Sequence, residues 1–132
     1  MSSYHYLFLR PWRNPARLVE DLGELLGVGF ERVHYPYADF IGEVGQVVVD
    51  VALTHGFGME PRHEDREMPL SRYPVCLTFR YRGTGTSRHE EAEVAWRVYE
   101  GLGSLEGYDL LLVYDFQQVL AASPPLASRQ AP

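Results

Sequence analysis

The stretch from Thr54 to Pro74 contains many of the side chains in this sequence that could do chemistry. It holds two histidines, His55 and His63, together with the carboxylates Glu60, Glu64, Asp65 and Glu67. Imidazole and carboxylate groups are ligands that zinc accepts. The stretch has no HExxH motif, however, and its two histidines have no spacing that fixes a metal geometry. We therefore expect no metal site and no cofactor.

Support for catalysis elsewhere in the sequence is weak. The single cysteine, Cys76, lies within a strand pattern, where a cysteine is usually a small buried hydrophobe. There is no GxSxG motif and no lysine. Asp50 and Asp115 would form a carboxylate pair only if their strands were adjacent. The protein is expected not to be an enzyme, and Asp50 with His55 is kept as a candidate polar site.

The same stretch is a better candidate for partner binding. A connection of about eighteen residues is unusual in a compact domain, and such loops are often functional. Its carboxylates would contact positive charge, and two apolar side chains would anchor the contact. The predicted contact residues are Phe57, Met59, Glu60, Glu64, Asp65 and Glu67. The acidic edge of the first helix, with Glu20, Asp21 and Glu24, is the second choice.

Composition limits the class of protein. The chain has 132 residues and a net charge of −6, and it has no basic stripe of the kind that binds nucleic acid. There is no signal-peptide pattern and no apolar run long enough for a bilayer. We expect one domain over residues 1–122, a flexible tail over 123–132, a cytoplasmic location, and neither nucleic acid nor membrane as a partner.

The periodicity predicts an α+β protein. Apolar residues recur at helical spacing in two segments, which follow Asn14 and Ser87, and strand patterns surround both helices. In the second helix, Glu91 is expected on the solvent side. The predicted strands cover residues 4–10, 32–41, 46–54, 73–82 and 109–116, with a turn of helix over 117–121. The predicted order is β-α-β-β-β-α-β.

This order predicts a two-layer sandwich. A mainly antiparallel sheet would carry both helices on one face, as in a ferredoxin-like fold with an added strand. The strand from Leu110 to Tyr114 is apolar on both sides, which is typical of a strand buried on both faces. Either the tail and loops cover the second face, or that face forms a homodimer or contacts another partner.

Two stretches, RYPVCLTFRYR (72–82) and VAWRVYEGLGSLEGYDLLLVYDFQQVLA (94–121), resemble the small bacterial immunity proteins of polymorphic or contact-dependent toxin systems. The resemblance implies a non-catalytic protein that binds a cognate toxin and blocks its active site. An acidic inhibitor would suit a basic toxin domain such as a nuclease. Two alternatives stay open: an enzyme or small-ligand domain with a pocket on the sheet face, and a homodimeric regulatory or structural domain.

Overall fold

Seven strands form one antiparallel sheet, and two helices pack on one of its faces. The computed structural model describes residues 4–55, 70–83 and 88–125. The predicted α+β sandwich is therefore confirmed. A short 3-10 helix, Leu70–Arg72, precedes β5. The elements are β1 (His5–Pro11), α1 (Ala16–Leu26), β2 (Glu31–Tyr35), β3 (Ala38–Val44), β4 (Val47–Ala52), β5 (Val75–Tyr81), α2 (Arg88–Gly103), β6 (Tyr108–Tyr114) and β7 (Gln118–Ser123).

The strands lie in the order β2-β3-β4-β5-β1-β6-β7. Helix α1 follows β1, and the hairpin β2–β3 separates it from β4 in the chain. Helix α2 connects β5 directly to β6. The four central strands and the two helices therefore have the connectivity of two split β-α-β units. The hairpin β2–β3 extends the sheet at one edge, and β7 extends it at the other.

The predicted order of elements is wrong in two places. The stretch expected as one strand over residues 32–41 is two strands, because Pro36 interrupts it and proline cannot donate a hydrogen bond to a neighbouring strand. Residues 118–123 form β7, where a turn of helix was expected over 117–121. The observed order is β-α-β-β-β-β-α-β-β.

Helix α1 begins and ends as its sequence indicates. The Asn14 Oδ1 atom accepts a hydrogen bond from the Ala16 amide at 3.0 Å, which satisfies one of the amides at the first turn. Gly27 ends the helix in the left-handed region, with a φ of 70° that glycine adopts at little cost. Within the described residues, neither helix has the length and hydrophobicity that a membrane span requires.

The main core lies between the helices and the sheet. Leu18 and Leu22 of α1 and Val98 and Leu102 of α2 are fully buried. They belong to one cluster with alternate residues of the central strands: Leu7, Leu9, Val49, Val51, Leu77, Phe79, Leu110 and Leu112. Because side chains alternate between the two faces of a strand, every second residue of β1, β4, β5 and β6 points to the face on which the helices pack.

A second core covers part of the other sheet face. Phe8 of β1 and Leu111 of β6 are fully buried there, packed with Leu70 and Tyr73. Phe116, in the β6–β7 turn, joins the same cluster. Its φ is 58°, a conformation that is unusual for a bulky residue. The strands β1 and β6 are therefore buried on both faces, as the apolar run in β6 predicts.

One buried polar contact ties helix α2 to β1. The Glu91 carboxylate accepts a hydrogen bond from the His5 amide at 2.8 Å, and the same oxygen lies 2.5 Å from the His5 ring nitrogen Nδ1. Glu91 is only 3% exposed, so the expectation that it faces solvent is wrong. Burial of the Glu91 carboxylate is tolerated because His5, from a distant part of the chain, supplies its hydrogen-bond partners.

We expect Glu91→Ala to destabilise the protein by about 3–5 kcal/mol, because it leaves a buried amide and imidazole without their acceptor. Glu91→Gln, which keeps an acceptor, should cost less. Urea denaturation followed by circular dichroism measures both. Glu93 is exposed on the same helix and gives the control, for which Glu93→Ala should change stability by less than about 0.5 kcal/mol. A similar loss for Glu91→Ala and Glu93→Ala would contradict the assignment.

Candidate functional site

A cleft of about 460 Å³ opens on the sheet face opposite the helices. Its floor is formed by β4 and β5. Tyr6 of β1 and Tyr4, which precedes that strand, line it, as do Pro36 and Tyr37 of the β2–β3 turn. Thr54 and His55 also line it, where β4 ends. We call this feature the sheet-face cleft.

Small side chains at neighbouring positions create the depth of the cleft. Ala52 of β4 is paired with Cys76 of β5, and the next pair on this face joins Asp50 to Thr78. Opposing residues of antiparallel strands point to the same face. The short side chains of Ala52, Cys76 and Thr78 therefore lie side by side between the larger tyrosines. They leave a depression in the surface of the sheet.

An ion pair is fixed in the floor. Arg80 donates from Nε to Asp50 Oδ2 at 2.6 Å and from Nη2 to Asp50 Oδ1 at 3.1 Å. Arg80 is opposite Val48 in the ladder, so it reaches Asp50 diagonally. Asp50 is 3% exposed, whereas about a third of the Arg80 side chain is accessible. The hydrogen bond to Asp50 raises the pKa of Arg80, so the guanidinium stays charged.

Two further ionisable groups of the cleft, Cys76 and Tyr6, stay neutral at pH 7. Burial raises the pKa of the Cys76 thiol to about 12. Burial, reinforced by the nearby Cys76, also raises the pKa of Tyr6 to about 12. Neither group supplies a nucleophile, because a thiol reacts as its thiolate. Asp50 and Arg80 cancel each other, so these four side chains carry no net charge.

His55 connects the cleft to the covered half of the same face. Its Nε2 atom donates a hydrogen bond to the Tyr73 carbonyl. Its ring lies edge-on to Phe8, with the ring centroids 5.0 Å apart. The His55 amide also donates to the Pro74 carbonyl at 3.1 Å, which holds the end of β4 beside the start of β5. These contacts give His55 a role in fixing the edge of the cleft.

The structure brings together the two residues of the candidate polar site, since Asp50 and His55 both line the sheet-face cleft. It does not bring Asp50 to Asp115, because β5 and β1 lie between β4 and β6. Across the described parts of the chain, no three metal-binding side chains cluster. The predicted contact residues lie outside the described residues: Phe57, Met59, Glu60, Glu64, Asp65 and Glu67.

The partner of Asp50 was not found from the sequence. Arg80 lies on β5 and Asp50 on β4, and only the register of the sheet brings them together. A signal was nevertheless present. Alternation in β4 and β5 places an aspartate and an arginine on one face, and each charge near the middle of a sheet requires a partner.

Comparisons with known proteins do not identify a relative. No protein-family model, no curated protein and no solved structure matches the chain.

We expect the buried thiol to make stability depend on pH above about 9. The unfolded chain releases the Cys76 proton near the ordinary value of 9.0, while the folded chain keeps it up to about 12. The contribution is therefore complete below pH 9 and is lost as pH rises towards 12, by roughly 1.4 kcal/mol per pH unit. Unfolding free energies of the wild type and of Cys76→Ala, measured at several pH values, should converge above pH 9. Parallel curves would contradict this. Tyr6 titrates in both proteins, so the part of its raised pKa that burial causes cancels in the comparison, while the smaller part due to Cys76 does not.

Proposed function

We propose that this protein is a non-catalytic binding protein whose partner contacts the rim of the sheet-face cleft. One observation carries the proposal. Tyr35 and Tyr37, at the β2–β3 turn, are 48% and 59% exposed and stack on each other with ring centroids 5.4 Å apart. Exposed tyrosines are enriched in protein interfaces, where they supply large contact area at small entropic cost.

The chemistry of the cleft supports binding over catalysis. Both Asp50 oxygens accept hydrogen bonds from Arg80, so neither is poised as a general base. Burial keeps the Cys76 thiol protonated, since its pKa is raised to about 12. The Nε2 atom of His55 is engaged with the Tyr73 carbonyl. An enzyme needs polar groups that converge on a reacting atom, and here these groups are committed to each other.

For the class of partner, we propose a cognate bacterial toxin, which makes this an immunity-type inhibitor. The support comes from the sequence and from one structural relation. The segment 56–69, with its four carboxylates, begins immediately after His55, at the edge of the cleft. It ends before Leu70, which packs on the same sheet face. A basic toxin domain would be attracted by the four carboxylates and anchored by the exposed tyrosines.

A small-ligand-binding protein is the second candidate function. The volume of about 460 Å³ favours it, because it falls in the range of about 300–1,000 Å³ that small-molecule sites occupy. The cleft also has apolar walls and a few fixed polar groups, which is the usual composition of such sites.

Immobilised wild-type protein should capture a partner from a lysate of the source organism, and Tyr37→Ala should weaken that binding by at least about tenfold because it removes an exposed interface anchor. Leu105→Ala is the matched control, since Leu105 is exposed in the α2–β6 turn, outside the cleft. Biosensor titration with the purified partner gives the affinities.

The immunity hypothesis requires more than capture. The partner expressed alone should arrest bacterial growth, and co-expression of the wild type should restore it. A variant with Glu60, Glu64, Asp65 and Glu67 neutralised should restore growth less well. A harmless partner, or binding that is equal for Tyr37→Ala and the wild type, would refute the corresponding part of the proposal.

A further inference from the structure

The unused donors of Arg80 define what the cleft can bind. The Nε and Nη2 atoms of Arg80 donate hydrogen bonds to Asp50. Its Nη1 atom makes no hydrogen bond to another described residue. The two N–H groups of Nη1 are therefore free to donate to a ligand. The fork to Asp50 fixes the plane of the guanidinium, so these donors are held in place before a ligand arrives.

The shape of the cleft favours a flat ligand. Its walls include the rings of Tyr4, Tyr6 and Tyr37 together with Pro36, and its floor is lowered by Ala52 and Thr78. A planar ring can contact aromatic walls by stacking or edge-to-face packing, with its edge directed at the guanidinium.

The charge of the cleft favours an uncharged ligand. Asp50 and Arg80 form a neutral pair, so an added carboxylate would place two negative groups around one guanidinium. The protein as a whole carries −6, which repels anions further. A cationic ligand would be repelled by the positive charge of Arg80. An uncharged carbonyl oxygen accepts from Nη1 without either penalty.

We propose that the sheet-face cleft binds a small, planar, uncharged ring compound that bears a carbonyl acceptor, such as an aromatic amide or a carbonyl-containing heterocycle. The ring lies against the tyrosines, and the carbonyl oxygen accepts hydrogen bonds from Arg80. This inference rests on the second candidate function, that the cleft is a small-ligand site.

Benzamide is the probe, and benzoate and benzylammonium are its charged analogues of similar shape. Two-dimensional NMR of labelled wild-type protein should show saturable shifts for Ala52, Thr78 and the Arg80 Nε–H, with a Kd on the order of 1 mM for so small a ligand. Both charged analogues should bind at least about tenfold more weakly, because each meets a like charge in the cleft.

Two variants test the site. Ala52→Leu should weaken benzamide binding at least about tenfold by filling the floor, while Ala16→Leu, which adds the same atoms to an exposed position of α1, should leave binding unchanged. Arg80→Lys keeps a charge for Asp50 but loses the fixed Nη1 donors, and should weaken binding about five- to tenfold.

Absence of saturable shifts in these residues, equal binding to Ala52→Leu, or tighter binding of a charged analogue would overturn the inference. The result can be separated from the fate of the partner-binding proposal. If benzamide fails while partner capture still depends on Tyr37, the ligand class falls and the partner proposal stands. If benzamide binds as expected while Tyr37→Ala leaves capture unchanged, the opposite holds.

Discussion

Burial of the central strands on both faces of the sheet is the constraint on which the rest of the structure depends. Leu7, Phe8 and Leu9 are consecutive in β1 and all fully buried, although their side chains alternate between the two faces. Helices cover one face, as expected for a two-layer sandwich. The other face has no α-helix among the described residues, so smaller elements must cover it: Leu70 of the short 3-10 helix, Tyr73 and Phe116 pack over β1 and β6.

Among the residues that the structure describes, this second cover is incomplete, and the cleft is its open part. Over β6 and part of β1 the face is covered by an apolar cluster, in which Phe116 stacks on Tyr6 with ring centroids 4.1 Å apart. Over β4 and β5 the same face has an ion pair and three small side chains. Tyr6 contacts both regions and forms the boundary between them. The positive φ of Phe116 is compensated by this packing, which could not form if the ring pointed to solvent.

The sequence predicted what depends on local periodicity and missed what depends on register. The helices, the central strands and the double burial of β6 follow from patterns within single segments. The division at Pro36 and the strand β7 were missed, because propensity over five or six residues is weaker than the pairing with a neighbouring strand. Glu91 was placed on the wrong side of α2, since nothing near it in the sequence indicates that His5 is its partner. Asp50 stands out in the sequence as a charge within an apolar strand, but its partner Arg80 is identified only by the sheet register.

The ion pair between Asp50 and Arg80 occupies the part of this face, over β4 and β5, that aliphatic side chains would otherwise fill. A buried ion pair of this kind is rarely a source of net stability, since an apolar pair of similar volume is often as stable. Hydrophobic side chains at both positions would have extended the second core across β4 and β5 and closed this face. Instead, the Arg80 guanidinium is held in place at the sheet-face cleft, which three tyrosines line. A molecule bound at the open half of the face would accept from the Nη1 donors that Asp50 does not occupy, in place of the water that reaches the partly exposed Arg80 side chain.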